Sequence, residues 1–137
     1  MRKIILSSIA VLLFVSVVCF DCLAQESKPE RTIEQCMEAV REIKLEGCEF
    51  TTIELVADGR FDSGSRFAIT DLPLFCRVAP TLKPSENSDI KIEVWLPEHK
   101  KWNGRLLGAG NGGSAGSIIY NTLANGVKRN FATGIQT

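Results

Sequence analysis

Apolar positions along this chain follow two periodicities. In residues 32–44, Ile33, Cys36, Met37, Val40 and Ile43 recur at helical spacing, with charged residues on the opposite side. That pattern predicts an amphipathic helix with Thr32 as its N-cap. Residues 88–96 alternate instead, with Ile90, Ile92, Val94 and Leu96 in one set and Lys91, Glu93 and Trp95 in the other. Period two predicts a half-buried strand. Apolar runs at 50–56, 74–82 and 105–109 predict three more strands. Lys83-Pro84-Ser85-Glu86-Asn87 is turn chemistry, so the runs on either side of it form an antiparallel hairpin. A helix is expected over residues 117–130, and residues 131–135 begin another strand. A hairpin, then strand, glycine loop, helix and strand, makes an α/β chain that reads as the truncated first part of a doubly wound sheet.

The N-terminus follows a different rule. Arg2 and Lys3 precede an apolar run over 4–20, and Cys22-Leu23-Ala24 supplies a small residue for cleavage. This is the layout of a secretory signal peptide over residues 1–24, which leaves a domain over 25–137. A retained membrane anchor is the alternative. Ala24 and the polar stretch over 25–31 favour cleavage, hence a secreted or periplasmic protein with no stable membrane anchor.

Basic and acidic residues number 16 each, for zero net charge, and no basic stripe suggests a nucleic-acid partner. After cleavage, Cys36, Cys48 and Cys76 remain, and an oxidising compartment favours pairing. The disulfide candidates are Cys36 with Cys76, tying the first helix to the sheet; Cys36 with Cys48 is the alternative. With no C-x-x-C among the three cysteines left after cleavage, a single histidine and no acidic cluster, neither zinc nor calcium has a ligand set in the mature sequence, and no metal site or other cofactor is expected.

The densest glycine stretch follows the run at 105–109: Gly108, Gly110, Gly112, Gly113 and Gly116. Glycines leave backbone N–H groups uncovered, so an oxygen carrying negative charge can approach closely. Gly112-Gly113-Ser114-Ala115-Gly116 also matches the nucleophile-elbow pattern G-x-S-x-G. A hydrolase of that type needs an acid and then a histidine after the serine. No Asp or Glu follows Glu98, and the sole histidine, His99, lies before Ser114 in a charged loop. Ser114 is therefore not expected to be a nucleophile, nor His99 more than a surface residue. Gly108 to Gly113 fits G-x-G-x-x-G, but the later acidic residue of a dinucleotide site is missing. No Gly-Lys-Ser/Thr follows, so a P-loop is excluded as well. The bland reading is a glycine-rich turn without chemistry.

Four blocks in order resemble the N-terminal region of the tannase and feruloyl esterase family. They are Leu72-Pro73-Leu74-Phe75-Cys76-Arg77-Val78-Ala79, Ser88-Asp89-Ile90-Lys91-Ile92-Glu93-Val94-Trp95-Leu96-Pro97, Trp102-Asn103-Gly104-Arg105-Leu106-Leu107-Gly108 and Gly110-Asn111-Gly112-Gly113-Ser114-Ala115-Gly116. The resemblance runs from about Cys36 onward, and its specificity lies in the order and spacing of the blocks. It implies an α/β-hydrolase fold with an inserted lid domain that can carry structural calcium. It also implies a Ser-Asp-His triad acting on small phenolic-acid esters such as gallates or ferulates. In the family the nucleophile lies in a later Cys-Ser-x-Gly-Gly motif, which this sequence lacks, so no catalytic residue is expected here. The glycine loop commonly has an aromatic residue where this chain has Ser114. What the resemblance assigns to these residues is an oxyanion-hole loop at Gly112 and Gly113. The chain is thus expected to be an inactive fragment of a secreted serine esterase. The other expectation is a small secreted binding module, with Trp95, Trp102 and Tyr120 lining a ligand surface.

Overall fold

In the computed structural model, residues 31–113 and 116–137 are described. The expected leader over 1–24 and Ser114 lie outside the described residues.

Thr32 opens the first helix, α1 (Ile33–Arg41), through a reciprocal capping box. The Gln35 N–H donates to Thr32 Oγ1 at 3.3 Å, and the Thr32 N–H donates to Gln35 Oε1 at 3.0 Å. Two of the helix's orphan donors are thereby satisfied. The helix ends before the periodicity does, because Ile43 and Leu45 are exposed and no core holds a further turn.

Five strands follow: β1 (Cys48–Val56), β2 (Phe75–Leu82), β3 (Ile90–Pro97), β4 (Leu106–Ala109) and β5 (Ala132–Gln136). Helix α2 (Tyr120–Lys128) joins β4 to β5. The sheet order is β1-β2-β3-β5-β4. The first three pairings are antiparallel, including the expected hairpin of β2 and β3, and only β4 and β5 run parallel. Parallel neighbours need a crossover, which α2 supplies. That helix stops in a Schellman arrangement: the Phe131 N–H donates to Gly126 O and the Asn130 N–H to Val127 O. Asn130 takes the left-handed residue this requires, at φ 63°.

Each face of the sheet has its own core. Val56, Phe75, Trp95 and Ile135 point to the face covered by Leu123, Ala124 and Val127 of α2 and by Phe61. Cys76 and Val78 point the other way, beneath Ile33 and Met37 of α1, with Val94 and Leu96 packed alongside. This corrects the half-buried reading of β3: both faces are covered, and Glu93 and Trp95 are the most buried positions. Trp95 stacks on Phe75 at 4.3 Å between ring centroids, so the supposedly outer set faces the larger core.

The cysteines also require correction. Cys36, Cys48 and Cys76 are all free thiols in this structure, so neither expected pairing is formed. Cys76 is completely buried among Ile33, Met37 and Val78, with its Sγ directed at Arg77 O (3.9 Å). Burial, reinforced by Cys36 nearby, pushes its thiol up to about 11. Among the described residues, no helix is long and apolar enough to cross a membrane.

Candidate functional site: the glycine loop after strand β4

Strands β4 and β5 pair from Leu106↔Ala132 to Ala109↔Ile135, so their carboxyl ends lie side by side. In open α/β sheets this is where ligands bind. The entrance to β4 is fastened to the end of α2: the Asn103 N–H donates to Asn130 O (2.9 Å), and Asn103 Nδ2 donates to Arg129 O (3.1 Å). Asn103 Oδ1 in turn accepts from the Arg105 N–H at 3.0 Å, which directs the chain into the strand. At the exit, Asn111 Nδ2 donates to Gln136 O at the end of β5.

Helix α2 approaches the two strands through Gly126. A Cβ built there would lie 2.0 Å from Thr133 Cγ2 and 3.1 Å from Leu107 Cδ2. Only glycine lets the helix backbone come this close.

The loop glycines are different. Among the described residues, and chain neighbours aside, nothing lies within 4 Å of a Cβ built at Gly108, Gly110, Gly112 or Gly113. Gly113 has φ 60° and Gly116 φ 53°, which a side chain tolerates poorly, but Gly110 and Gly112 are outside the left-handed region. For these two, neither conformation nor packing within the described residues demands glycine. Gly110, Gly112 and Gly113 are exposed, and Gly110 lines a shallow cavity of about 430 Å³ together with Asn111 and Gln136. The loop can present bare backbone to an oxygen approaching from outside.

The remaining sequence candidates do not gather here. His99 is exposed in the turn after β3. Trp95 is fully buried in the core, whereas Trp102 is exposed with its Nε1 donating to Arg105 O (3.0 Å), so the expected aromatic ligand surface is not assembled. Among the described residues, no group of three or more His, Cys, Asp or Glu is placed to hold a metal ion.

One cluster escaped the sequence reading. Glu93 is 2% exposed, yet its carboxylate is fully engaged. Arg77 donates to it from Nε (2.5 Å) and NH2 (3.2 Å), and Trp95 Nε1 donates at 2.9 Å. Arg77 also reaches Glu54 at 2.8 Å and lies over the Phe61 ring at 4.9 Å. Burial alone would lower the guanidinium pKa, but its hydrogen bonds to Glu93 and then to Glu54 outweigh that and hold the pKa above the usual value. Tyr120, the first residue of α2, packs on the Phe61 ring that Arg77 covers, at 5.0 Å between centroids. Its pKa is raised by burial and then by the Glu93 charge. The cluster's only trace in sequence is a pair of opposite charges in neighbouring hairpin strands.

The fold and the loop define the class: an α/β protein with exposed glycine backbone at the carboxyl ends of two parallel strands. Comparison with known proteins gives the family. The chain is 32% identical over 120 residues to feruloyl esterase C of Talaromyces stipitatus, covering 80% of this chain and 22% of that protein. It is 47% identical over 57 residues to a probable feruloyl esterase B-2 of Aspergillus flavus, covering 42% of this chain and 11% of that one. The crystal structure of feruloyl esterase B from Aspergillus oryzae superposes with a TM-score of 0.65 at 27% identity, over 76% of this chain and 21% of that chain. Tannin acyl hydrolase from Aspergillus niger shares the fold, with a TM-score of 0.52 at 22% identity over 77% of this chain and 21% of that chain. No protein-family model matches. The chain belongs to the tannase and feruloyl esterase family, and spans 22% of the length of the first of these relatives and 21% of the first solved structure.

Proposed function

We propose that this chain is the part of an exported serine carboxylic-ester hydrolase that carries one side of the oxyanion hole. Its fold is the corresponding part of an α/β-hydrolase sheet. In that fold one oxyanion N–H comes from the loop between a strand and the first crossover helix, the position the glycine loop occupies between β4 and α2. Gly112 and Gly113 supply the donors. The substrate is a small phenolic-acid ester of the gallate or ferulate type. One such donor contributes about 3–4 kcal/mol to the transition state, because the charge develops against a dipole that is already oriented.

The observation that carries the reading is the bare backbone at Gly110 and Gly112, where neither packing nor left-handed geometry calls for glycine. Donors alone do not activate a nucleophile. With no acid after Glu98 and no histidine after Ser114, these 137 residues are inactive by themselves. The test is hydrolysis of methyl ferulate and methyl gallate. The purified chain should hydrolyse neither, and the protein encoded by the frame read past Thr137 should hydrolyse at least one. Turnover by the chain itself, abolished by Ser114→Ala, would overturn the assignment.

A further inference from the structure

We propose that Asn111 is the positioning residue of the glycine loop, a clamp that holds the Gly112 and Gly113 N–H groups in place; its catalytic consequence rests on the reading above. Backbone pairing of β4 with β5 ends at Ala109↔Ile135. Beyond that point Asn111 carries the connection with its side chain, donating from Nδ2 to Gln136 O, 25 residues further along. The anchor is itself paired into the sheet, Gln136 lying opposite Ile92 of β3. Next to it, the Thr137 N–H donates to Lys91 O at 2.9 Å, and Thr137 Oγ1 accepts from the Lys91 N–H at 3.0 Å, fastening the end of β5 to β3. A loop with open space where glycine side chains would stand thus gains a fixed point one residue before the proposed donors.

The second observation concerns the other end of the amide. Because a backbone carbonyl can only accept, the bond to Gln136 O identifies the Asn111 nitrogen, and so its oxygen. That Oδ1 is buried with no hydrogen-bond partner, the sole buried side-chain nitrogen or oxygen left so among the described residues. A buried carbonyl without a donor is unfavourable, and native proteins seldom leave one. Asn111 Oδ1 is therefore the acceptor for one N–H or O–H donor when the site is complete. The amide then bridges the sheet on one side and the incoming donor on the other, and the loop between them is pre-organised rather than ordered at each turnover.

Two measurements test the clamp. In the 137-residue chain, backbone NMR order parameters at Gly110, Gly112 and Gly113 should fall from about 0.8 to below about 0.6 in Asn111→Ala, while those of α1 stay unchanged. In the protein encoded by the frame read past Thr137, Asn111→Ala should lower kcat about 10- to 100-fold and leave KM within about twofold. Asn111→Asp separates positioning from general damage. Ionised, it cannot donate to Gln136 O; protonated, it can, so its kcat relative to wild type should recover as pH falls through the carboxyl pKa. Unchanged order parameters in Asn111→Ala overturn the clamp whatever the activity. Wild-type kcat in Asn111→Ala overturns it too. A wild-type protein inactive on phenolic esters would instead sink the esterase reading, leaving the order parameters to decide the clamp.

Discussion

Replacing Gly126 by alanine sets two known effects against each other. Alanine favours a helix interior over glycine by about 1 kcal/mol, so on an exposed face the change would stabilise. Here the new methyl would meet Thr133 Cγ2 at 2.0 Å, more than an ångström inside ordinary contact. Thr133 cannot readily turn away: it is 2% exposed, and its Oγ1 donates to Leu123 O at 3.4 Å. Nor can the helix lift freely, because Leu123 and Val127 are fully buried in the core that contains Trp95. Overpacking of this kind typically costs about 1–3 kcal/mol, and a clash this severe falls at the upper end. Net destabilisation of about 2 kcal/mol is expected after the helix-propensity gain. Urea unfolding followed by circular dichroism should show a lower midpoint with an unchanged slope. Thr133→Ser removes the offending methyl, so the two substitutions together should recover at least about 1 kcal/mol relative to additivity. A Gly126→Ala chain as stable as wild type, or an additive double variant, would refute the close-approach argument.

Thr32→Ala removes one half of the capping box and should destabilise by about 1 kcal/mol in the same assay. Arg77→Met strips the buried Glu93 carboxylate of two of its three hydrogen bonds and should destabilise by about 3 kcal/mol, whereas Arg41→Met, which breaks only the exposed pair with Glu38, should fall within about 0.5 kcal/mol. The Cys76 thiol, pushed up to about 11 and completely buried, should resist a thiol reagent at pH 8 until the protein is unfolded, while half-buried Cys36 and Cys48 react first. The sign of the linkage follows from that raised pKa. The folded state holds the proton more tightly, so the contribution to stability is complete below the ordinary thiol pKa of 9.0 and is lost as pH rises through about 11, which urea unfolding at pH 8 and pH 10.5 would detect.

Local order was legible in the residues themselves. Helical spacing from Ile33 to Val40, the Thr32 cap and the turn after Leu82 gave α1 and the hairpin, since each depends on neighbours only a few positions apart. The strand, glycine loop, helix and strand that build the candidate site were legible for the same reason. Burial was not. Alternation along β3 says that two faces exist, but only the packing of α1 and α2 on opposite sides of the sheet decides that both are covered. Glu93 became a core residue because hairpin register brings Arg77 to its carboxylate, where Trp95 of the same strand also donates, and a charge can be buried only where such partners converge. Likewise, Asn111 is one more polar loop residue until β5 returns beside β4 and places Gln136 O within its reach. Residue order alone therefore sufficed for the helix cap, the turn and the succession of elements, each of which depends on near neighbours. Which distant groups meet followed only from the folded sheet, because that depends on how the strands are ordered and not on any local preference of the chain.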